Sequence, residues 1–127
     1  MITAKGEITL TLKDSSGNGS ITTTGTVAKA TEGATLVIES GKYVSTGSNA
    51  LWAGSKTETG HIVINGGEVE AQECAVAFGK DSNVTINGGK FTTVDNSVIS
   101  GNGTEGAGGS TVVINDGEFN GNISSTG

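Results

Sequence analysis

A short phrase recurs four times along this chain of 127 residues. It reads INGGE from Ile64, INGGK from Ile86 and INDGE from Ile114, and IESGK from Ile38 is a looser copy. The four isoleucines stand 26, 22 and 28 residues apart. A period in that range is typical of solenoid proteins, in which each repeat is one rung and neighbouring rungs bury each other's apolar side.

Each isoleucine ends a stretch in which apolar residues alternate with their neighbours. The stretches read TLVI, HIVI, NVTI and TVVI. Successive side chains of a β-strand point to opposite faces, so the alternation predicts one shared face, which we assign to the interior. The predicted interior residues are Leu36, Ile38, Ile62, Ile64, Val84, Ile86, Val112 and Ile114.

The polar corner after each isoleucine repeats as well. Asn65, Asn87 and Asn115 directly follow three of the isoleucines, and stacked asparagines can hydrogen-bond along the axis as a ladder. Glu39 holds the same place in the first copy and is expected to break the ladder.

Two further columns follow from the same phase of the repeat. A glycine stands three residues after every isoleucine, which indicates a corner with left-handed or crowded backbone. These glycines are Gly41, Gly67, Gly89 and Gly117. The first apolar residues of the next strand are expected to stack in a column: Tyr43, Val69, Phe91 and Phe119.

A third segment closes each rung and ends in a glycine. The segments read ALWAG, AVAFG and SVISG, and aligning their final glycines makes Leu51, Val76 and Val98 equivalent interior residues. An outward apolar row follows from this alignment: Trp52, Ala77 and Ile99. Such a row usually covers a subunit interface, so we favour contact with another protein over stacking of a lone tryptophan on a sugar ring.

Three strands per rung and one corner of variable length predict an all-β fold. It is a short single-stranded parallel β-helix, or β-solenoid, of about four rungs, as the strand spacing and repeat architecture require. The variable corner covers residues 55–60, 80–82 and 102–110. With 33% hydrophobic and 4% aromatic residues the core must be thin, and 22 glycines without proline suit many turns between strands.

Residues 1–30 precede the first clear rung. The stretch GEITLTL alternates Ile8, Leu10 and Leu12 with polar residues, and a turn and a second strand follow it. We interpret residues 1–30 as a β-hairpin or an irregular first rung that caps the stack, with Ile8, Leu10 and Leu12 as a candidate attachment strand. Residues 31–127 form the parallel β-helix in this division.

Charge and length argue against several partners. Thirteen carboxylates, seven lysines and no arginine give a net charge of −6, so we expect no nucleic-acid partner. No apolar run approaches the roughly 18 to 20 residues that span a bilayer, and the first ten residues lack the features of a secretory signal. We therefore expect no membrane partner. Cys74 is the single cysteine, and its apolar surroundings predict a buried structural thiol.

Candidate catalytic and metal-binding residues are few. Glu68 and Glu118 share one phase two rungs apart, about 10 Å by rung spacing, and solvated face charges explain them sufficiently. His61 is the only histidine and has no second ligand in the pattern, so no zinc site is expected. The aspartate of calcium-binding β-roll repeats is also missing. We expect no catalytic residues, no cofactor and no metal.

The phrases VINGGEVEAQECAVAFG and TINGGKFTTVDNSVISG resemble the rungs of pectate-lyase-like right-handed β-helix proteins, over about residues 34–119. Enzymes of that fold use clustered carboxylates around calcium and usually a basic residue, often arginine, which this chain lacks. The opening AKGEITLTLKDSSG is similar to the start of modules in phage tail and fibre proteins. This second resemblance implies a virion protein and a multimer, with a trimer expected.

Together these features predict a non-enzymatic structural protein of a virion surface. It would be a phage head decoration or fibre protein that multimerises and contacts host or environmental surfaces. Its expected partners are further copies of the chain and other virion proteins. The alternative is a bacterial cell-surface adhesin or a secreted carbohydrate-binding β-helix module, whose partner would be a surface glycan. A degraded polysaccharide lyase is the third interpretation.

Overall fold

The computed structural model describes residues 1–101 and 108–123, and these residues form a parallel β-solenoid of about four turns. They contain fifteen short strands and no helix. The strands lie in three parallel sheets of five strands each, so the predicted all-β parallel β-helix is confirmed. Residues 102–107, which belong to the predicted variable corner, lie outside the described residues.

We call the sheets A, B and C in the order in which the chain visits them. Sheet A contains β1 (Ile2–Lys5), β4 (Ala28–Thr31), β7 (Leu51–Ala53), β10 (Val76–Phe78) and β13 (Ile99–Gly101). Sheet B contains β2 (Thr9–Leu12), β5 (Thr35–Ile38), β8 (His61–Ile64), β11 (Asn83–Ile86) and β14 (Thr111–Ile114). Sheet C contains β3 (Ser20–Thr23), β6 (Lys42–Ser45), β9 (Glu68–Ala71), β12 (Lys90–Thr93) and β15 (Glu118–Asn120). Three successive strands, one from each sheet, make one rung, so the described strands form five rungs, and β1–β3 add one to the four that the repeated phrase marks.

The marker isoleucines lie directly above one another in sheet B. Ile38 pairs with Ile64, Ile64 with Ile86 and Ile86 with Ile114, each through a parallel ladder. Six of the eight predicted interior residues are buried: Leu36, Ile38, Ile62, Ile64, Val84 and Ile86. Val112 is only partly buried and Ile114 is 39% exposed, because no described strand covers the outer side of the last rung.

The predicted column of apolar residues is present in sheet C. Tyr43 pairs with Val69, Val69 with Phe91, and Phe91 with Phe119. The rings of Phe91 and Phe119 stack with centroids 5.0 Å apart and planes 7° from parallel. Ile21 precedes Tyr43 in the same column. Stacking of equivalent side chains is therefore the basis of this core.

The asparagine ladder runs along the corner between sheets B and C. Asn115 donates from Nδ2 to Oδ1 of Asn87 at 2.7 Å, and Asn87 donates in the same way to Asn65 at 2.8 Å. Asn65 in turn donates to Oε1 of Glu39 at 3.0 Å. The prediction that Glu39 breaks the ladder is wrong, because a carboxylate accepts the amide hydrogen bond and continues the ladder by one rung.

The four corner glycines after the marker isoleucines have left-handed backbone, as predicted. Their φ angles are 103° at Gly41, 90° at Gly67, 106° at Gly89 and 141° at Gly117. A residue with a Cβ would be strained at these angles, which explains why the phrase keeps glycine there.

Residues 1–30 form a rung instead of a hairpin. β2 pairs in parallel with β5, and β3 pairs in parallel with β6, so β2 and β3 join different sheets. β1 likewise pairs with β4 in sheet A. Of the two predicted alternatives, a hairpin or a first rung, the structure shows the first rung. The attachment role of these strands stays a prediction.

The alignment of the third segments is wrong by one residue in the last rung. Val76 pairs with Leu51 as predicted, but its partner in β13 is Ile99 and not Val98. The final glycines explain the shift, because Gly101 pairs with Phe78 and is therefore not equivalent to Gly79, with which the prediction aligned it. Val98 lies just before β13 and is 0% exposed, so its predicted burial is confirmed although its predicted register is wrong.

Candidate interaction faces

The outward row of sheet A differs from its prediction at one position. In register the row reads Thr3, Lys29, Trp52, Ala77 and Ser100. Ile99 lies in the core at 0% exposure, and Ser100 takes the outward place that was predicted for it. Trp52 is partly exposed, whereas Ala77 is only 3% exposed. The candidate interface on this side is thus reduced to one indole and one methyl group.

Cys74 lies in the corner that leads into β10. It is 5% exposed, so the predicted burial is confirmed. Burial raises the pKa of the thiol, and a hydrogen bond with the Ser100 side chain acts in the opposite direction. Its backbone N–H donates to Oδ1 of Asn49 at 2.8 Å. A thiol with a raised pKa is a poor nucleophile at neutral pH, which fits a structural role.

The candidate attachment strand is divided between core and surface. Ile8 is 52% exposed and lies just before β2. Leu10 and Leu12 are partly buried and continue the interior columns of Leu36 and Ile38 in sheet B. Of the three residues, only Ile8 offers a large exposed apolar side chain.

The outward face of sheet C is charged. One of its columns reads Lys42, Glu68, Lys90 and Glu118, with alternating sign. Nζ of Lys90 lies 3.8 Å from a carboxylate oxygen of Glu118, and Nζ of Lys42 lies 3.2 Å from one of Glu70. Lys90 thus stands between Glu68 and Glu118, the pair considered for glycoside hydrolysis. Solvated and paired charges account for both carboxylates.

The outward face of sheet B carries neither a carboxylate nor an amine. Its residues form two columns, one at each outward position of the strands. The first column is Thr9, Thr35, His61, Asn83 and Thr111. The second column is Thr11, Val37, Val63, Thr85 and Val113. Nδ1 of His61 lies 3.1 Å from Nδ2 of Asn83, so the single histidine is hydrogen-bonded within this face.

A polar cleft of about 410 Å³ lies at the corner between sheets B and C. Asp14, Lys42 and Glu68 contribute its charged side chains. The Asp14 carboxylate accepts hydrogen bonds from the Ser16 hydroxyl at 2.7 Å and from the Gly19 N–H at 2.7 Å. These hydrogen bonds lower the pKa of Asp14, and the bond from the Ser16 hydroxyl has the largest effect. The Asp14 carboxylate is therefore engaged in holding the turn in which it lies. The described residues contain no group of three or more potential metal ligands.

Comparison with protein-family models, with curated proteins and with solved structures found no match. The fold and its faces define a class, the parallel β-solenoid scaffold with short rungs. The likeness to pectate-lyase-like rungs and to phage fibre modules stays a resemblance of sequence. Over residues 1–101 and 108–123, no helix is long and apolar enough to cross a membrane.

Proposed function

We propose that this chain is a non-enzymatic structural protein of a virion surface, a phage head decoration or fibre protein that multimerises. The supporting observation is the use of polar side chains along the solenoid axis. Asn65 and Asn87 donate hydrogen bonds to the preceding rung, and Lys90 pairs with Glu118 of the following rung. In a catalytic or ligand-binding site, such polar side chains would be available to the substrate or ligand. In this chain they hold one rung to the next. Such a stack is a rigid body suited to display and assembly.

The proposed multimer forms through the outward row of sheet A, with copies of the chain as partners. Trp52 is its largest group, and indoles are enriched at the centre of protein interfaces. Ala77 beside it and Ser100 one strand further are small, so a partner side chain can approach the indole from that side. Other virion proteins are proposed as partners through the first rung, where Ile8 is exposed.

The alternative, an adhesin or carbohydrate-binding module, is favoured by one specific observation. The partly exposed Trp52 indole lies between the small residue Ala77 and Lys29, and the ammonium group of Lys29 can donate hydrogen bonds. An aromatic ring with a polar neighbour is a suitable platform for a sugar ring.

Light scattering on the purified chain tests the first proposal against the alternative. We expect the wild-type chain to have the mass of a trimer or another multimer and Trp52→Ala to be monomeric. Thr92→Ala is the matched control, because Thr92 is a partly exposed outward residue of sheet C. A monomeric wild-type chain would contradict multimerisation. Binding on a glycan array that is lost in Trp52→Ala would favour the alternative.

The virion location is tested on particles. Purified particles that package this chain are expected to contain it in a copy number that follows capsid or fibre symmetry, measured by quantitative mass spectrometry. Absence of the chain from purified particles would contradict the proposal, whatever its oligomeric state in solution.

A further inference from the structure

Five asparagine–glycine pairs occur in this chain, and four of them lie in the part that the structure describes. These four begin at Asn18, Asn65, Asn87 and Asn120. An asparagine before a glycine can modify itself, because the backbone nitrogen of the glycine can attack the side-chain amide carbon and no Cβ obstructs its approach. Asparagine is accordingly one of the thermolabile residues of proteins. The four pairs differ in what holds the side-chain amide and in what holds the glycine N–H.

The side chains of Asn65 and Asn87 are held on both sides in the ladder. Nδ2 of Asn87 donates to Oδ1 of Asn65 at 2.8 Å, and Oδ1 of Asn87 accepts from Asn115 at 2.7 Å. Nδ2 of Asn65 donates to Glu39 at 3.0 Å. Attack on either amide carbon requires the amide group to turn away from its partners, so two hydrogen bonds must break first. The ladder therefore protects these two pairs.

The Asn120 side chain is held on one side. Its Nδ2 donates to Oγ1 of Thr92 at 3.3 Å. Within residues 1–101 and 108–123, no carboxylate accepts a hydrogen bond from the N–H of Gly121. This pair thus has a weaker hold on the amide group than the ladder pairs, but no base at the nitrogen that would attack.

Asn18 differs from the other three asparagines in both respects. It is exposed in the turn between β2 and β3. Its backbone N–H donates to Oγ of Ser16 at 3.2 Å, and its side chain makes no hydrogen bond to the described residues. The N–H of Gly19 donates to Oδ2 of Asp14 at 2.7 Å. A Cβ on Gly19 would lie 2.9 Å from the carboxyl carbon of Asp14, so glycine is what lets this carboxylate come so close.

We propose that Asn18 is a site of self-modification at which Asp14 acts as the general base. Oδ2 of Asp14 takes the proton of the Gly19 N–H, the Gly19 nitrogen bonds to Cγ of Asn18, and the bond from Cγ to Nδ2 breaks. The amide nitrogen leaves as ammonia and carries away the proton that Asp14 held, so a succinimide ring remains. Water then opens the ring at either of its two carbonyl carbons and gives aspartate or isoaspartate at position 18.

The distance between Asp14 and Gly19 suits this role. A general base has to lie within about 2.6 to 3.2 Å of the atom whose proton it takes, and the Oδ2–N distance of 2.7 Å meets this condition. The electrophile belongs to the residue next to the nucleophile, and its side chain is free to turn toward it. Base, nucleophile and electrophile are thus brought together by one short turn.

The product changes the polar cleft at the corner between sheets B and C. Asn18 lines this cleft together with Asp14, Lys42 and Glu68. A new carboxylate at position 18 adds a negative charge near those of Asp14 and Glu68, and like charges repel. Isoaspartate also lengthens the backbone of the turn by one methylene group. We therefore expect the modification to loosen the corner of the first rung, while the later rungs, which turn without this loop, keep their structure.

Incubation of the purified chain in warm neutral buffer, followed by peptide mapping with mass spectrometry, tests the proposal. The peptide that contains Asn18 should show the exchange of an amide for a carboxylate at least about tenfold faster than the peptides that contain Asn65, Asn87 or Asn120. Part of its product should be isoaspartate, which an isoaspartate-specific methyltransferase labels. Faster modification at any of the other three asparagines would overturn the proposal.

Asp14→Asn tests the role of the carboxylate. The variant removes the base but keeps an oxygen that can accept from Gly19, so modification at Asn18 should slow at least about tenfold. A general base usually contributes about 10²- to 10⁴-fold, and we expect the lower part of this range because hydrogen bonding, mainly from the Ser16 hydroxyl, lowers the pKa of Asp14 and weakens it as a base. If the carboxylate merely fixes the turn, the rate in Asp14→Asn will be unchanged or higher, and either result overturns the proposal.

Glu68→Gln is the matched control, because it makes the same exchange in the same cleft at a carboxylate that does not contact Gly19. It should leave the rate at Asn18 unchanged, and an equal slowing in both variants would contradict the role of Asp14. Modification at Asn65 and Asn87 should stay as slow in both variants as in the wild-type chain, which verifies that the ladder is folded. The reaction requires no partner, so it is independent of the proposed multimer.

Discussion

Two rungs of this solenoid carry nearly the same residues in different surroundings. In the rung β10–β12, Ile86 and Phe91 are 0% exposed. In the rung β13–β15, their register partners are Ile114, which is 39% exposed, and Phe119, which is partly buried. The inner rung has neighbours on both sides, whereas the described residues place a neighbour on only one side of the outer rung. Burial here depends on the position in the stack, since the residue types are the same.

The largest expected difference is in the loss of stability when each of the two stacked phenylalanines is replaced by alanine. Phe91→Ala should destabilise the chain by about 3 to 5 kcal/mol, because it leaves a cavity between two rungs. Phe119→Ala should have less than about half that effect, since solvent already reaches its ring. Urea unfolding of both variants measures the difference. Equal losses of stability would mean that the outer rung is covered as fully as the inner one.

In the asparagine ladder we expect a smaller difference in stability between an inner and an outer rung. Asn87 bonds to the asparagines on both sides, whereas Asn115 bonds to one. At about 0.5 to 1.5 kcal/mol for each hydrogen bond, Asn87→Ala should cost about twice as much as Asn115→Ala. Asn18→Ala, an exposed asparagine outside the ladder, is the control in thermal unfolding. A cost at Asn87 no larger than that at Asn18 would show that the ladder contributes nothing to stability.

The first rung closes its corner differently, and this predicts the smallest effect. Its corner is a longer turn between β2 and β3 that is held by the Asp14 carboxylate, whereas later rungs turn within three residues, as between Ile64 and Glu68. The pKa of Asp14 is lowered in the folded chain below its ordinary value of 3.8. The ionised Asp14 carboxylate therefore stabilises the fold at pH values above 3.8. This contribution is lost as the pH falls through the pKa of Asp14 in the folded chain.

Unfolding midpoints measured from neutral pH to below 3.8 test this effect. Asp14→Asn should show a shallower pH dependence than the wild-type chain, and the turn of the first rung should lose its hydrogen-exchange protection first. If the stability of both chains depends on pH in the same way, the Asp14 carboxylate does not stabilise the fold.

Much of the fold could be predicted because the rungs repeat in phase. The columns through Ile64, Asn87 and Phe91 followed from constant intervals after each marker isoleucine. Three features did not follow. The register of Ile99 was misassigned because Gly101 is not equivalent to Gly79, the ladder contact of Glu39 depends on side-chain chemistry, and the first rung lacks the marker.

The repeat in the amino-acid sequence was sufficient by itself to determine a parallel stack of three-stranded rungs and most of its interior columns. The reason is physical, because a strand period of two and a fixed corner leave the apolar side chains only one common face to occupy. The tertiary structure alone decided the register of the last rung in sheet A. Its third segment shares no phrase of constant phase with the earlier rungs, and only pairing with the rung below selects the register that buries Ile99 and turns Ser100 outward.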